Sequence, residues 1–247
     1  MRYPIDNSDS FLQILCVQKL VYVSERLSWR EIILRGHRTI PITSWRSNSR
    51  WKASLKTLAV LILGLSCFGF GEALLVITGL GNSPWVVLAE GLTIRTGIDI
   101  GMTTFIVSVV VLLLWIPLKE RPGLGTLANI VVIAFVLELS INLLPRVETL
   151  AIGIPTVIAG VLTVGIGSSL YLTCNLGPGP RDGLMTSLHN KTGVRVGRVR
   201  FGLEVIVLTL GYLMGGTVGI ATLIFAGGIG RAVALWLGVV SVLARPK

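Results

Sequence analysis

From Leu58 to Ile77 the chain reads LAVLILGLSCFGFGEALLVI, twenty residues with a single ionisable side chain. Leu150 to Tyr171 carries none. A helix rises 1.5 Å per residue, so about twenty apolar residues cover the ~30 Å hydrocarbon layer of a bilayer. A helix at the surface of a soluble domain keeps one polar face, and these runs have none. Only 14% of the 247 residues are charged, against about 25% in an average soluble domain, and the mean hydropathy is +0.80. The length rule places six spans at about 57–78, 100–118, 124–144, 150–174, 198–215 and 217–243. Pro122-Gly123 and Gly215-Gly216 mark tight connections. The first long run begins near residue 57, too deep for a cleaved signal peptide.

The net charge of +10 would suit nucleic acid, but its distribution does not. Ten of the 22 Lys and Arg fall in residues 1–56, beside the first span. With the N-terminus in the cytoplasm, cytoplasmic segments collect 19 of the 22, and external loops receive only Arg95 and Arg146. That bias predicts six spans with both termini inside. Nucleic acid is excluded as a partner; the lipid bilayer is the expected one. Residues 1–56 read as a basic cytoplasmic extension, either amphipathic on the membrane surface or disordered.

One phrase occurs twice. LGNSPWVVLAEGLTIRTGIDIG at 80–101 returns as LGPGPRDGLMTSLHNKTGVRVG at 176–197. With the same shift of 96, Gly64, Gly69 and Gly71 pair with Gly160, Gly165 and Gly167, and Gly123 and Thr126 pair with Gly219 and Thr222. Each half is then a three-span unit, repeat 1 over 57–149 and repeat 2 over 150–247. Three is odd, so the second copy enters the membrane from the opposite side. Inverted repeats of this kind are common in secondary transporters, which bind solute where the repeats meet. The expected fold class is an all-α polytopic membrane bundle, two inverted three-span repeats, each with a short extra helix after its first span.

The phrase has the grammar of a helix. Pro84 and Pro180 suit the first helical position, Asp182 the first turn, and Gly97 and Gly193 the stop. About a dozen residues give roughly 18 Å, too short to span. Such a helix is either a collar packed on the bundle through Leu184, Met185 and Leu188, the plainer reading, or a re-entrant element whose N-terminal N–H groups attract an anionic or polar solute. GPGPRDG lacks the Gly-Lys-Ser/Thr ending of a nucleotide loop.

The string LGPGPRDGLM, followed by Glu204 and GGTVGIAT, resembles the YczE/YyaS/YitT family of bacterial integral membrane proteins, YczE in particular. GLGNSPW and GTLANIVVIAFVLEL carry the likeness in the first half, with Glu138 at the family's acidic position. The likeness covers roughly 57–240. Val86 stands where the family usually has an acid, and Gly227-Gly228 where it has Gly-Pro. The resemblance implies a bacterial inner-membrane protein and supplies no activity.

Glu72, Glu138, Glu204 and Arg231 fall inside predicted spans, where an ionisable group costs several kcal/mol unless it faces protein or water. Arg231 maps by the repeat onto Phe135, one turn from Glu138, which predicts an Arg231–Glu138 pair across the repeat interface, with Glu204 as the alternative partner. Glu72 and Glu204 read as acids near span ends. The candidate substrate-binding residues are Glu138, Arg231, Arg181, Asp182 and Glu204. Cys16, Cys67 and Cys174, with His37 and His189, have no metal or redox spacing, so no metal or cofactor is expected. No acid pair, Ser/Lys pair or ligand cluster points to an enzyme. The leading expectation is a transporter of a small polar or anionic solute. The alternatives are a membrane factor that assists or regulates a partner protein, and a passive channel. A homo-oligomer is left open.

Overall fold

The computed structural model describes residues 40–244. Among them the chain is all helical: α1 (Leu55–Val76), α2 (Pro84–Thr96), α3 (Ile100–Leu113), α4 (Trp115–Leu118), α5 (Leu124–Leu143), α6 (Leu150–Thr173), α7 (Pro180–Thr192), α8 (Val196–Leu213) and α9 (Ile220–Leu243). Five segments are long and apolar enough to cross a membrane: α1, α3 continued by α4, α5, α6 and α9. The remaining expected span, 198–215, falls on α8, whose 18 residues include Arg198, Arg200 and Glu204. The reading of residues 1–39 as an extension lies outside the described residues. Residues 40–54 are a strap laid over one end of the bundle. Trp45 Nε1 donates to Thr173 Oγ1, Asn175 Nδ2 to the Ser47 carbonyl, and Leu124 N to the Arg50 carbonyl.

Helix starts recur at the offset read from the sequence: Pro84 and Pro180, Ile100 and Val196, Leu124 and Ile220. So does the backbone between them. Gly97 (φ 73°) and Gly193 (φ 70°) close α2 and α7 in the left-handed conformation, where a side chain is strained. Gly79 (φ 62°) corresponds to Asn175 (φ 57°), a residue type that tolerates that region. The N-cap glycines Gly123 and Gly219 each donate N–H to the hydroxyl of the threonine three residues on, Thr126 and Thr222.

The central contact joins α1 to its counterpart α6, and the two run antiparallel. Gly64 lies against Gly167 and Gly71 against Gly160, close enough that a Cβ on Gly167 would sit 2.5 Å from the Gly64 carbonyl oxygen. In lipid, helices gain little from apolar burial alone, so backbone approach through small residues supplies the packing. α5 flanks α1, and α9 flanks α6. Two apolar clusters follow the same offset: Leu65, Ile133 and Tyr171 in one stand where Val161, Ile229 and Leu75 stand in the other. α2 packs along α8, and α7 along α3 and α4.

The halves also trade backbone hydrogen bonds. Gly125 N, at the start of α5, donates to the Leu176 carbonyl (2.8 Å), and Ala221 N, at the start of α9, donates to the Leu80 carbonyl (3.0 Å). Each linker ahead of a short helix thus caps a long helix of the other half.

Gly167→Val is expected to destabilise the bundle by about 1–3 kcal/mol, since its side chain would meet α1 backbone on two sides. Gly202→Ala, where an added Cβ meets nothing within 4 Å, is expected to leave stability unchanged or raise it. Thermal unfolding of the detergent-purified variants measures both.

Candidate functional site: a charged cavity between the halves

The short helices begin at the centre of the molecule. Pro84 to Val87 and Pro180 are buried, while the far ends at Gly97 and Gly193 are exposed. Leu184 and Met185 are buried as the collar reading expects, with Leu184 against Val107, Val111 and Trp115. The same helices nonetheless bring their N-terminal turns to one cavity of ≈240 Å³. Trp115 fixes this placement for α7. Its ring lies against Gly183, where a Cβ would fall 2.0 Å from it, and its Nε1 donates to the Pro180 carbonyl (3.0 Å).

Trp85 and Arg181 occupy equivalent positions in the repeat and meet each other. The guanidinium lies 5.1 Å from the indole ring centroid, within cation–π range. The starts of the two short helices therefore meet at the cavity. Asp182, next in the chain, accepts a short hydrogen bond from the Tyr171 hydroxyl, which anchors the start of α7 to α6. Arg200 and Glu204 pair along α8 (Nε–Oε1 2.8 Å) and line the cavity beside α9.

Glu72 is the unusual member. It is 1% exposed, lines the cavity, and neither carboxylate oxygen has a hydrogen-bond partner among the described residues. The Ser83 hydroxyl, at the N-cap of α2, is in the same condition. Arg181 and Glu72 act on one another electrostatically, yet they form no ion pair. Arg181 makes no hydrogen bond among the described residues. Polar groups in a protein interior are costly unless hydrogen-bonded, so Glu72 and Arg181 both keep unused hydrogen-bonding capacity beside the cavity.

Of the residues expected from sequence, Arg181, Asp182 and Glu204 line this cavity. Glu138 and Arg231 do not. Glu138 accepts from Gly101 N (2.8 Å) and Asn142 Nδ2 (2.9 Å), holding the start of α3 against α5. Arg231 is exposed on α9 and has no ion pair among the described residues, so the expected Arg231–Glu138 pair is absent. The acid was claimed by an unpaired helix N-terminus, a nearer source of positive charge. Glu204, the alternative partner, is taken by Arg200. Glu72 is not a span-end acid meeting solvent: the glycine-thinned face of α1 holds it inside. Sequence reasoning also passed over Trp85 and Tyr171. The offset itself could have found Trp85, because it pairs that residue with Arg181.

Residues 55–237 match the model of a family of unknown function, DUF6198. The chain belongs to this family. An uncharacterized protein of Haemophilus influenzae is 44% identical over 204 residues, covering 83% of this chain and 94% of that protein. The uncharacterized membrane protein YczE of Bacillus subtilis is 31% identical over 178 residues, 72% of this chain and 80% of YczE. YyaS of the same organism is 25% identical over 170 residues, 66% of this chain and 83% of YyaS. No solved structure matches. With these relatives and its apolar helices, this DUF6198 member is a multi-pass, YczE-like membrane protein.

Glu72→Gln is expected to stabilise the ligand-free protein by about 1–3 kcal/mol, because a neutral amide of nearly the same shape avoids the cost of holding a carboxylate out of water. Thermal unfolding in detergent reads it; an unchanged or lower melting temperature would show that Glu72 is compensated.

Proposed function

We propose that the protein is a secondary transporter of a small solute, six spans in the bacterial inner membrane with both termini cytoplasmic, built as two inverted three-span halves around the central cavity. The antiparallel packing of α1 on its counterpart α6 supports the inversion, as does the odd number of spans per half. In this reading α8 is the fifth span, and its charges face the cavity and its mouth. The chain acts by binding and release and performs no bond chemistry.

One observation carries the reading: the two halves are not in the same state. α3 packs closely on α5, with Gly101 against Ala134 and Glu138. The equivalent helices α8 and α9 barely touch: Gly197 and Gly230, the counterparts of Gly101 and Ala134, meet no neighbour at the Cβ position. Ala134 and Leu137 are buried, whereas Gly230 is exposed. The cavity is sealed along α3–α5 and open along α8–α9. An inverted repeat caught with one copy closed and the other open is one end of an alternating-access cycle, and exchanging the two arrangements gives the other end. At about 30 Å³ per water, ≈240 Å³ holds roughly eight waters, below the ~300–1,000 Å³ of drug-sized sites. The solute is therefore small.

Closure brings position 197 to 234 as 101 is brought to 138. In a background without native cysteines, Gly197→Cys with Ala234→Cys is expected to form a disulfide on oxidation. That disulfide abolishes proteoliposome uptake of small metabolites, and thiol restores it. Uptake at the rate of protein-free liposomes across the panel, or full uptake by the cross-linked protein, would contradict the proposal.

A further inference from the structure

Glu72 and Arg181 face one cavity, opposite in charge, without joining. In a low-dielectric interior opposite charges attract strongly, and such a pair tends to close into contact. What prevents it is visible in the packing. Glu72 is fixed on α1 between Gly71, pressed on α6, and Ala73, which is fully buried. Arg181 is held over the Trp85 ring. Each side chain is thus held at the cavity with hydrogen-bonding capacity that a ligand can use.

Three features define that ligand. Two unpartnered carboxylate oxygens, 99% shielded from solvent, require a donor, and a cationic one matches best. On the same cavity the guanidinium makes no hydrogen bond among the described residues, and the N-terminal turns of α2 and α7 converge there. That arrangement suits a carboxylate. Phe68, Ile133, Val164, Phe225 and Ile229 make the rest of the wall apolar. A solute with only a negative charge would face the uncompensated Glu72, and one with only a positive charge would face Arg181.

We propose that the cavity binds a small zwitterion, an α-amino acid with an apolar side chain, its ammonium on Glu72 and its carboxylate on Arg181 and the helix N-termini. This rests on the reading of the cavity as a solute site and adds the class of solute. Leucine, with nine non-hydrogen atoms, matches the roughly eight-water volume.

Binding to the purified full chain in nanodiscs is measured by calorimetry and thermal shift with leucine, leucinamide and 4-methylpentanoate. Leucine is expected to bind, and each analogue, lacking one charge, to bind at least about tenfold more weakly, because it leaves one buried charge unpaired. Glu72→Gln should erase the preference for leucine over 4-methylpentanoate, and Arg181→Gln the preference over leucinamide. Thermal unfolding shows that each variant is folded. If none of the twenty amino acids binds, or if 4-methylpentanoate or leucinamide binds as well as leucine, the assignment is overturned. Proteoliposome flux separates this from the transport reading. Leucine binding without flux keeps the zwitterion site and overturns transport; flux of a solute with one charge or none does the reverse.

Discussion

A helix that begins inside a bilayer exposes N–H groups where no water can reach them, and the rest of this structure depends on how that demand is met. Each non-helical linker, 77–83 and 174–179, lies against the other half, where its carbonyl accepts from the first turn of a long helix: Leu80 from Ala221 and Leu176 from Gly125. Irregular backbone buried in protein must find its hydrogen bonds there. The reciprocity ties the halves together, since neither linker is satisfied within its own half. It also explains the glycines. Carbons added at Gly123 and Gly219 would fall 2.3 and 2.4 Å from those carbonyl oxygens.

The same arrangement delivers the cavity. Linkers held by the opposite half aim the starts of α2 and α7 toward the cavity, and Trp85 and Arg181 meet there. The halves have diverged around that point. Where one copy carries Arg181, Asp182 and Tyr171, the other has Trp85, Val86 and Leu75; where one has Glu72, the other has Ser168. One set of backbone positions therefore supplies a cation with its aromatic support on one side and an unpartnered carboxylate on another. Divergence also separates α3 from α8: Thr104 and Ser108 are buried, whereas Arg200 and Glu204 at the matching places keep α8 from dehydrating against α9.

Much of this was legible in the sequence. The offset of 96 predicts where α2, α7, α5 and α9 start, because proline at the first helical position and a glycine cap are local signals that lipid does not override. Arg181 and Asp182 belong to the same repeated phrase, which is how the sequence draws attention to two residues that line the cavity. The facing of charged residues within long spans was not legible. A helix in lipid is apolar all round, so no amphipathic stripe tells whether Glu72 points inward or Arg231 outward. Pairing Arg231 with Glu138 took spatial neighbourhood from symmetry alone and overlooked the backbone N–H of Gly101 as a partner. The burial of Glu72 follows from contacts between α1 and α6, which no local pattern encodes.

The central claim is that the two halves lie in opposite senses across the membrane, so that their short helices reach the cavity from opposite faces. Thr96 and Thr192 are equivalent exposed positions at the outer ends of those helices. Each is replaced by cysteine, separately, in a background without native cysteines, and treated with a membrane-impermeant maleimide on intact and on permeabilised cells. The account predicts that Thr96→Cys labels from outside and Thr192→Cys only after permeabilisation. Labelling of both from the same side would contradict it.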